Sequence, residues 1–255
     1  MLFFGKTDIG AKRSSNQDSF SCRLYPNGIL LCAVCDGMGG AAGGNIASSL
    51  AISSFCGYIS RILEHGGFEG NESIPAVLES AVSAANTAVS EKARVTPELR
   101  GMGTTLCAAM LADETLHVVN VGDSRLYVVN ECDKKMMKIT HDHSYVQYLV
   151  DIGELTPEEA AESPRRNMIT RAVGSEPTVE SDYYSVGLKD EGTYVLICSD
   201  GLTNYMTADD IRDIITARVS CDNPEDELTA KASLLIDGAN RGGGGDNITA
   251  VLIKY

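Results

Sequence analysis

Positive charge is scarce in this sequence. Lysine and arginine number 21 against 35 aspartates and glutamates, which leaves a formal net charge of -14. Such a surface repels phosphate backbones and anionic lipid, so neither nucleic acid nor a membrane is an expected partner. Long apolar runs are missing too, and none approaches the ~20 residues a membrane helix needs. The N-terminal patch Met1-Leu2-Phe3-Phe4 is too brief for a secretory signal. No internal repeat, low-complexity stretch or linker breaks the chain, so one domain over residues 1–255 is expected. There is no disulfide framework. The eight cysteines (Cys22, Cys32, Cys35, Cys56, Cys107, Cys132, Cys198 and Cys221) are scattered, which fits a reducing cytoplasm. Cys32 and Cys35 form a single C-x-x-C. No second pair or nearby histidine completes it, and on a strand the two thiols point to opposite faces. They read as small buried hydrophobes.

What is present is apolar bulk and glycine. Hydrophobic residues make up 44% of the chain, enough for a sizeable core, and 22% are charged. The run Leu30-Leu31-Cys32-Ala33-Val34-Cys35 ends in Asp36-Gly37-Met38-Gly39-Gly40, a carboxylate at the end of a buried strand followed by a glycine turn. The design recurs at Tyr194-Val195-Leu196-Ile197-Cys198-Ser199-Asp200-Gly201. A third carboxylate, Asp246, follows a run of four glycines and precedes the apolar run 248–253. Taken singly, each is an ordinary turn aspartate. Together, three carboxylates at strand ends with glycine or asparagine beside them are what a hard cation such as Mg2+ or Mn2+ requires. Clustered carboxylates in an acidic chain also need a cation to ionise together.

In chain order, residues 2–9 predict a strand. The polar loop 7–19, with Arg13 and Asp18, follows. Residues 20–25 and 28–35 predict a hairpin around Pro26-Asn27-Gly28. Helices are predicted over 44–63, ended by His65-Gly66-Gly67, and over 73–93. Strands at 103–112, 115–121, 124–130 and 136–139 predict a β-meander. Short helices are expected near 144–151 and 157–162, strands near 179–186 and 193–199, helices capped by Thr207 and Asn223, and a last strand over 247–254. Strands mostly follow one another directly, which favours antiparallel sheets. The predicted architecture is α+β. Two antiparallel sheets pack face to face, each covered by a helix pair, in four layers αββα.

Several motifs, in this order along the chain, resemble those of metal-dependent serine/threonine protein phosphatases of the 2C type. They are Thr7-Asp8-Ile9-Gly10 with Arg13-x-x-Asn16-x-Asp18; Val34-Cys35-Asp36-Gly37-Met38-Gly39-Gly40; Gly101-Met102-Gly103-Thr104-Thr105; Asn120-Val121-Gly122-Asp123-Ser124-Arg125; Thr140-His141-Asp142-His143-Ser144; Arg166-Asn167-Met168-Ile169-Thr170-Arg171; Cys198-Ser199-Asp200-Gly201-Leu202; and Asp246-Asn247-Ile248-Thr249. They cover nearly the whole chain, and the compact size and Asp-Gly-Met-Gly-Gly are similar to the bacterial branch. The resemblance implies hydrolysis of phosphoserine and phosphothreonine by a hydroxide bridging two Mn2+ or Mg2+ ions, with no covalent enzyme intermediate.

By that resemblance Asp36 bridges the ions, the Gly37 carbonyl binds one, and Asp200 and Asp246 complete the other. Arg13 holds the substrate phosphate and Asp18 orders metal-bound water. Asp123, with Asp200, holds a possible third ion, and residues 145–170 form a flap beside the site. Gln17 stands where many members have a glutamate that contacts metal-bound water, and its amide still accepts a hydrogen bond. Met38 stands where animal members have a histidine proposed as general acid, and a thioether has no proton to give. Ala41 and Ser163 replace histidines often seen in bacterial members. His141 and His143 are expected to make structural hydrogen bonds rather than bind metal. The implied partners are phosphorylated proteins, among them Ser/Thr kinases and their substrates, met by a cytoplasmic monomer. A non-enzymatic relative using this fold as a binding platform would be expected to lack one of the three metal aspartates. All three are present.

Overall fold

A computed structural model describes residues 1–64, 74–188, 192–219 and 223–255. The chain begins with Leu2–Asp8 (β1) and continues through Asp18–Leu24 (β2), Leu30–Met38 (β3), Gly40–Glu64 (α1) and Ile74–Val95 (α2). A 3-10 turn at Pro97–Leu99 leads to Gly103–Thr104 (β4), Leu106–Ala112 (β5), Thr115–Val121 (β6), Arg125–Asn130 (β7) and Met136–Lys138 (β8). Then come Tyr145–Asp151 (α3), Pro157–Glu162 (α4), Asp182–Gly187 (β9), Thr193–Cys198 (β10), Asp200–Thr203 (α5), Ala208–Thr216 (α6), Pro224–Arg241 (α7) and Ile248–Lys254 (β11).

The strands form two antiparallel sheets. One has the order β1-β11-β10-β7-β8, the other β2-β3-β5-β6-β9 with β4 on β3. The central strands β3, β5, β10 and β11 are apolar on both faces because both faces are covered. Along β3, Leu31, Ala33 and Cys35 meet Phe55 and Ile59 of α1, while Leu30, Cys32 and Val34 meet Val195, Ile197 and Val251 of the opposite sheet. Period-two alternation thus sends Cys32 and Cys35 into different cores, as expected. Along β10, Tyr194, Leu196 and Cys198 face Leu228, Leu235 and Ile236 of α7. The layers are helix pair, sheet, sheet, helix pair, as the sequence predicts.

The helix starts follow their capping residues. The Thr207 hydroxyl accepts from Asp210 N–H and the Asp210 carboxylate accepts in return, and Thr156 and Glu159 repeat this box. The Asn223 side chain accepts from Asp226 N–H at 2.8 Å. The expected stop at His65-Gly66-Gly67 lies outside the described residues, as does Cys221.

Three expectations are corrected. Helix α1 begins at Gly40, not residue 44, and within it Gly43–Glu64 is long and apolar enough, at mean hydropathy 1.4, to meet the composition of a membrane span. It lies on the β3 face instead, where the small residues Ala47 and Ala51 admit it closely and Phe55 and Ile59 are fully buried. Second, β6 and β7 are not a hairpin pair. The chain crosses from one sheet to the other through Gly122, Asp123 and Ser124, so the meander is split. Gly122 takes φ +103°, and a Cβ there would run into the Thr105 side chain, so this turn belongs to glycine. Third, Asp200 opens the one-turn helix α5, which the sequence did not suggest.

Phe55 is the largest apolar side chain buried without remainder under the helix pair. Phe55→Ala should lower unfolding stability by about 3–5 kcal/mol. Urea titration followed by circular dichroism measures it, and a loss under 1 kcal/mol would contradict the packing described.

Candidate metal centre

Antiparallel pairing sets Asp18 on β2 directly opposite Asp36 on β3. On the other sheet, Asp200 follows β10 and Asp246 precedes β11, two strands that lie side by side. Asp123 occupies the crossover between the sheets. These five aspartates therefore gather at one end of the stacked sheets. Asp36, Asp123, Asp200 and Asp246 line a single pocket of about 450 Å³ together with Arg13, Gln17, Gly37 and Met38. Asp18 lies just beneath it.

Backbone contacts fix each carboxylate. The Asp36 N–H donates to Thr105 Oγ1 at 2.8 Å, and its carbonyl accepts from Thr105 N–H and Thr104 Oγ1, both at 2.8 Å. Gly37 can only be glycine, because a Cβ would overlap the Gly44 carbonyl. Asp200 Oδ2 accepts from Asn204 Nδ2 at 2.9 Å. Asp246 Oδ1 accepts from Asn247 N–H at 2.8 Å, and its Oδ2 accepts from Arg13 at 2.8 Å. Asn247 also braces the 9–17 loop. Its amide donates to the Ile9 and Ser15 carbonyls and its oxygen accepts from Gln17 N–H.

Asp18 is held by a chain of hydroxyls. Its Oδ2 accepts from Thr249 Oγ1 at 2.6 Å and from Ser199 Oγ at 2.8 Å. Since Thr249 gives its proton to Asp18, the 2.7 Å contact with Thr7 Oγ1 has Thr7 as donor, and Asn16 Nδ2 donates to Thr7 in turn. The donors stand on one sheet and the acceptor on the other. Sequence reasoning gave Thr7, Ser199, Thr249 and Asn247 no role. Hydroxyl and amide residues recur throughout the chain, and only the register shows which of them meet.

The donor set fits a hard divalent ion. It is all oxygen, with no thiolate or imidazole among the pocket residues. Two buried carboxylate oxygens, Asp18 Oδ1 and Asp200 Oδ1, have no hydrogen-bond partner. Burial pushes the Asp18 carboxyl up to about 7, with Asp200 and Asp246 adding repulsion. Burial, then Asp200 and Asp142, raises Asp123 to about 8. Asp36 is raised by burial and by four neighbouring aspartates, and Asp200 by burial and Asp246. Acids held in this way await a cation. Among the described residues no three Asp, Glu, His or Cys side chains close around one point. Asp246 is turned onto Arg13 and Asp200 onto Asn204, so an ion here would take part of its coordination from carbonyl oxygen and water, as Mg2+ and Mn2+ do.

Arg13, expected on the substrate phosphate, thus rests on Asp246, with 48% of its side chain exposed at the pocket rim. Gln17 donates its amide to the Gly40 carbonyl at 2.7 Å. Asn167 and Ile169 of the 145–170 segment form one wall of the pocket. The two histidines are hydrogen-bonded away from it: His141 Nε2 reaches Asp151 at 3.1 Å, and His143 Nδ1 accepts from Gly122 N–H at 3.0 Å.

A pocket walled by aspartates at the end of two stacked sheets defines a protein built to gather divalent cations. The protein phosphatase 2C family model matches residues 8–235. Protein phosphatase PhpP of Streptococcus pneumoniae is 34% identical over 249 residues, covering 97% of this chain and 95% of that protein. Serine/threonine protein phosphatase PstP of Mycobacterium tuberculosis is 36% identical over 255 residues, 99% of this chain but 44% of the longer relative. The crystal structure of the PstP catalytic domain with two manganese ions superposes with a TM-score of 0.80 at 34% identity, covering 98% of this chain and 96% of that one. The chain belongs to the protein phosphatase 2C family.

In the unfolded chain Asp18 and Asp123 titrate near 3.8; in the metal-free fold they titrate at about 7 and about 8. Between these limits the folded protein binds more protons than the unfolded chain, so its stability falls as pH rises. Melting temperature in chelator should drop from about pH 5 to about pH 8.5, and saturating Mn2+ should remove most of the drop. Calorimetry showing a flat or rising profile in chelator would contradict this electrostatic account.

Proposed function

We propose that this chain hydrolyses phosphoserine and phosphothreonine in proteins, with Mn2+ or Mg2+ as cofactor. One observation carries the reading. Aspartates from four separate segments face one pocket whose rim holds an exposed arginine. Asp36 and the Gly37 carbonyl would hold ions on one side, Asp200 and Asp246 on the other, and Asp123 with Asp200 would serve a third. When bound, such ions activate water as a nucleophile at neutral pH and neutralise charge on the phosphoryl oxygens.

The chain's own groups do the rest. Arg13 is exposed enough to leave Asp246 and offer two parallel N–H donors to a phosphate dianion. Asp18 keeps one oxygen capped by two hydroxyls and the other free to order water at the pocket floor. Gln17 turns its amide nitrogen to Gly40, which leaves its oxygen as an acceptor. Met38 lines the pocket without a proton to give. The substrates would be phosphorylated proteins, Ser/Thr kinases and their targets among them. We take residues 1–255 as one catalytic domain acting as a monomer in the cytoplasm. The three cores share their sheets, and Cys32, Cys35, Cys107 and Cys198 are buried as free thiols.

Asp36→Asn should cut Mn2+-dependent hydrolysis of p-nitrophenyl phosphate by about 10³-fold while leaving the circular dichroism spectrum intact. Undiminished turnover would overturn the reading. Arg13→Ala should raise KM for a phosphothreonine peptide about tenfold, with a smaller change in kcat. An unchanged KM would remove Arg13 from phosphate binding.

A further inference from the structure

His143 lies between β8 and α3 and is 7% exposed. Its contacts run in two directions. Toward β6, its N–H donates to the Gly122 carbonyl and its Nδ1 accepts from the Gly122 N–H, both at 3.0 Å. Across the ring, its Nε2 lies 3.2 Å from Oδ2 of Asp182, the first residue of β9, which pairs with β6, and 3.1 Å from the Arg171 guanidinium, which donates to Asp182 Oδ1 at 2.8 Å. Its carbonyl accepts from Thr170 N–H at 2.8 Å. Because Nδ1 accepts, the pattern assigns the ring proton to Nε2, where Asp182 receives it. Burial, the leading effect, holds the imidazolium form down.

Both structures that His143 touches face the phosphatase pocket. Gly122 precedes Asp123 and, having no side chain, is held through its backbone: its N–H by His143 Nδ1, its carbonyl by the His143 N–H and by Asn120 Nδ2 at 3.2 Å. Thr170 and Arg171 follow Asn167 and Ile169, the wall contributed by the 145–170 segment. That wall is laced to the same stretch of chain. Ser144 bridges to Ile169, and Tyr145 N–H donates to the Met168 carbonyl at 2.7 Å. A core histidine satisfied at one nitrogen would make one of these links. This one makes both, at opposite ends of a rigid ring.

We propose that His143 is a positioning residue that sets the Asp123 turn and the 167–171 wall of the pocket in a common register, one through Nδ1 and the other through Nε2. The role rests on the phosphatase reading above. Two substitutions separate the ends. His143→Asn keeps an acceptor where Nδ1 stands and loses the Nε2 donor; His143→Gln keeps a donor toward Asp182 and loses the acceptor.

His143→Gln should raise the Mn2+ concentration for half-maximal activity about tenfold. Its phosphopeptide KM and its rate of tryptic cleavage after Arg165 and Arg166 in chelator should stay near wild type. His143→Asn should do the reverse. Its Mn2+ response should be unchanged, metal-free cleavage at those arginines should be about tenfold faster, and KM should rise for a phosphothreonine peptide but not for p-nitrophenyl phosphate. Asp182→Asn changes the partner of Nε2, shared with Arg171 and the Tyr184 hydroxyl, without touching Nδ1, and should reproduce His143→Asn, which provides a second route if a His143 variant does not fold. Variants that shift both readouts together, or match wild type in both, would overturn the proposal. A wild-type protein without Mn2+-dependent turnover would sink the phosphatase reading instead, and the cleavage rates would still judge His143.

Discussion

Carboxylates of like charge cannot be buried side by side as anions without a compensating cation. That constraint governs this molecule. Asp18, Asp36, Asp123 and Asp200 sit where burial and mutual repulsion drive protons onto them. Among the described residues, the protein's own positive charge pairs directly with Asp246, through Arg13, and tempers Asp123 and Asp200 from farther off, through Arg125. In a chain of net charge -14 there is little more to spend there. Divalent ions supply what the sequence withholds. An ion that binds this fold and not the unfolded chain therefore stabilises it in the act of assembling the site.

The scaffold that tolerates this crowding is apolar and rigid. Two sheets pack through Leu30, Val34, Val195, Ile197 and Val251, and their outer faces lie under helices. The aspartate cluster lies at one end, where strands give way to crossings. The hydroxyl chain from Asn16 through Thr7 and Thr249 to Asp18 ties the sheets together at that end. Each link of the chain has a defined donor and acceptor, so the link adds direction to a contact that apolar packing alone would leave free to slide.

Much of this was legible in the residues. Strand runs such as 30–35 and 194–198, apolar at every position, require cover on both sides, which leads to stacked sheets beneath helix pairs. Thr and Asn caps marked α4, α6 and α7. Asp36, Asp200 and Asp246 stood out because each adjoins a strand run and a glycine or asparagine. The Gly122 crossing was not legible, since a short glycine-aspartate turn between two apolar strands carries the same signal whether the strands pair or part. Nor was the helix at Asp200, a single turn too short to show periodicity. Arg13's place on Asp246 depends on a contact 233 residues away. The burial of α1 depends on a sheet surface that its own hydropathy cannot report.

The same geometry brings candidate site residues from crossings as well as from strand ends, rather than from one loop. Loop 9–17 passes between β1 and β2 on different sheets, and residues 122–124 between β6 and β7 likewise. A crossing segment is anchored at both ends to rigid strands of opposite sheets, so its side chains report the distance between the sheets. Asp36 stands on one sheet, while Asp200 and Asp246 flank strands of the other. Their separation is therefore set by inter-sheet packing, not by any local turn. Ions held by these carboxylates would tie the two sheets together, and loosening the Val34–Val251 layer would then disturb the site without touching a carboxylate. Cores under the helices have no such lever on the site. Their residues govern whether the sheets form, whereas the layer between the sheets governs where the carboxylates meet.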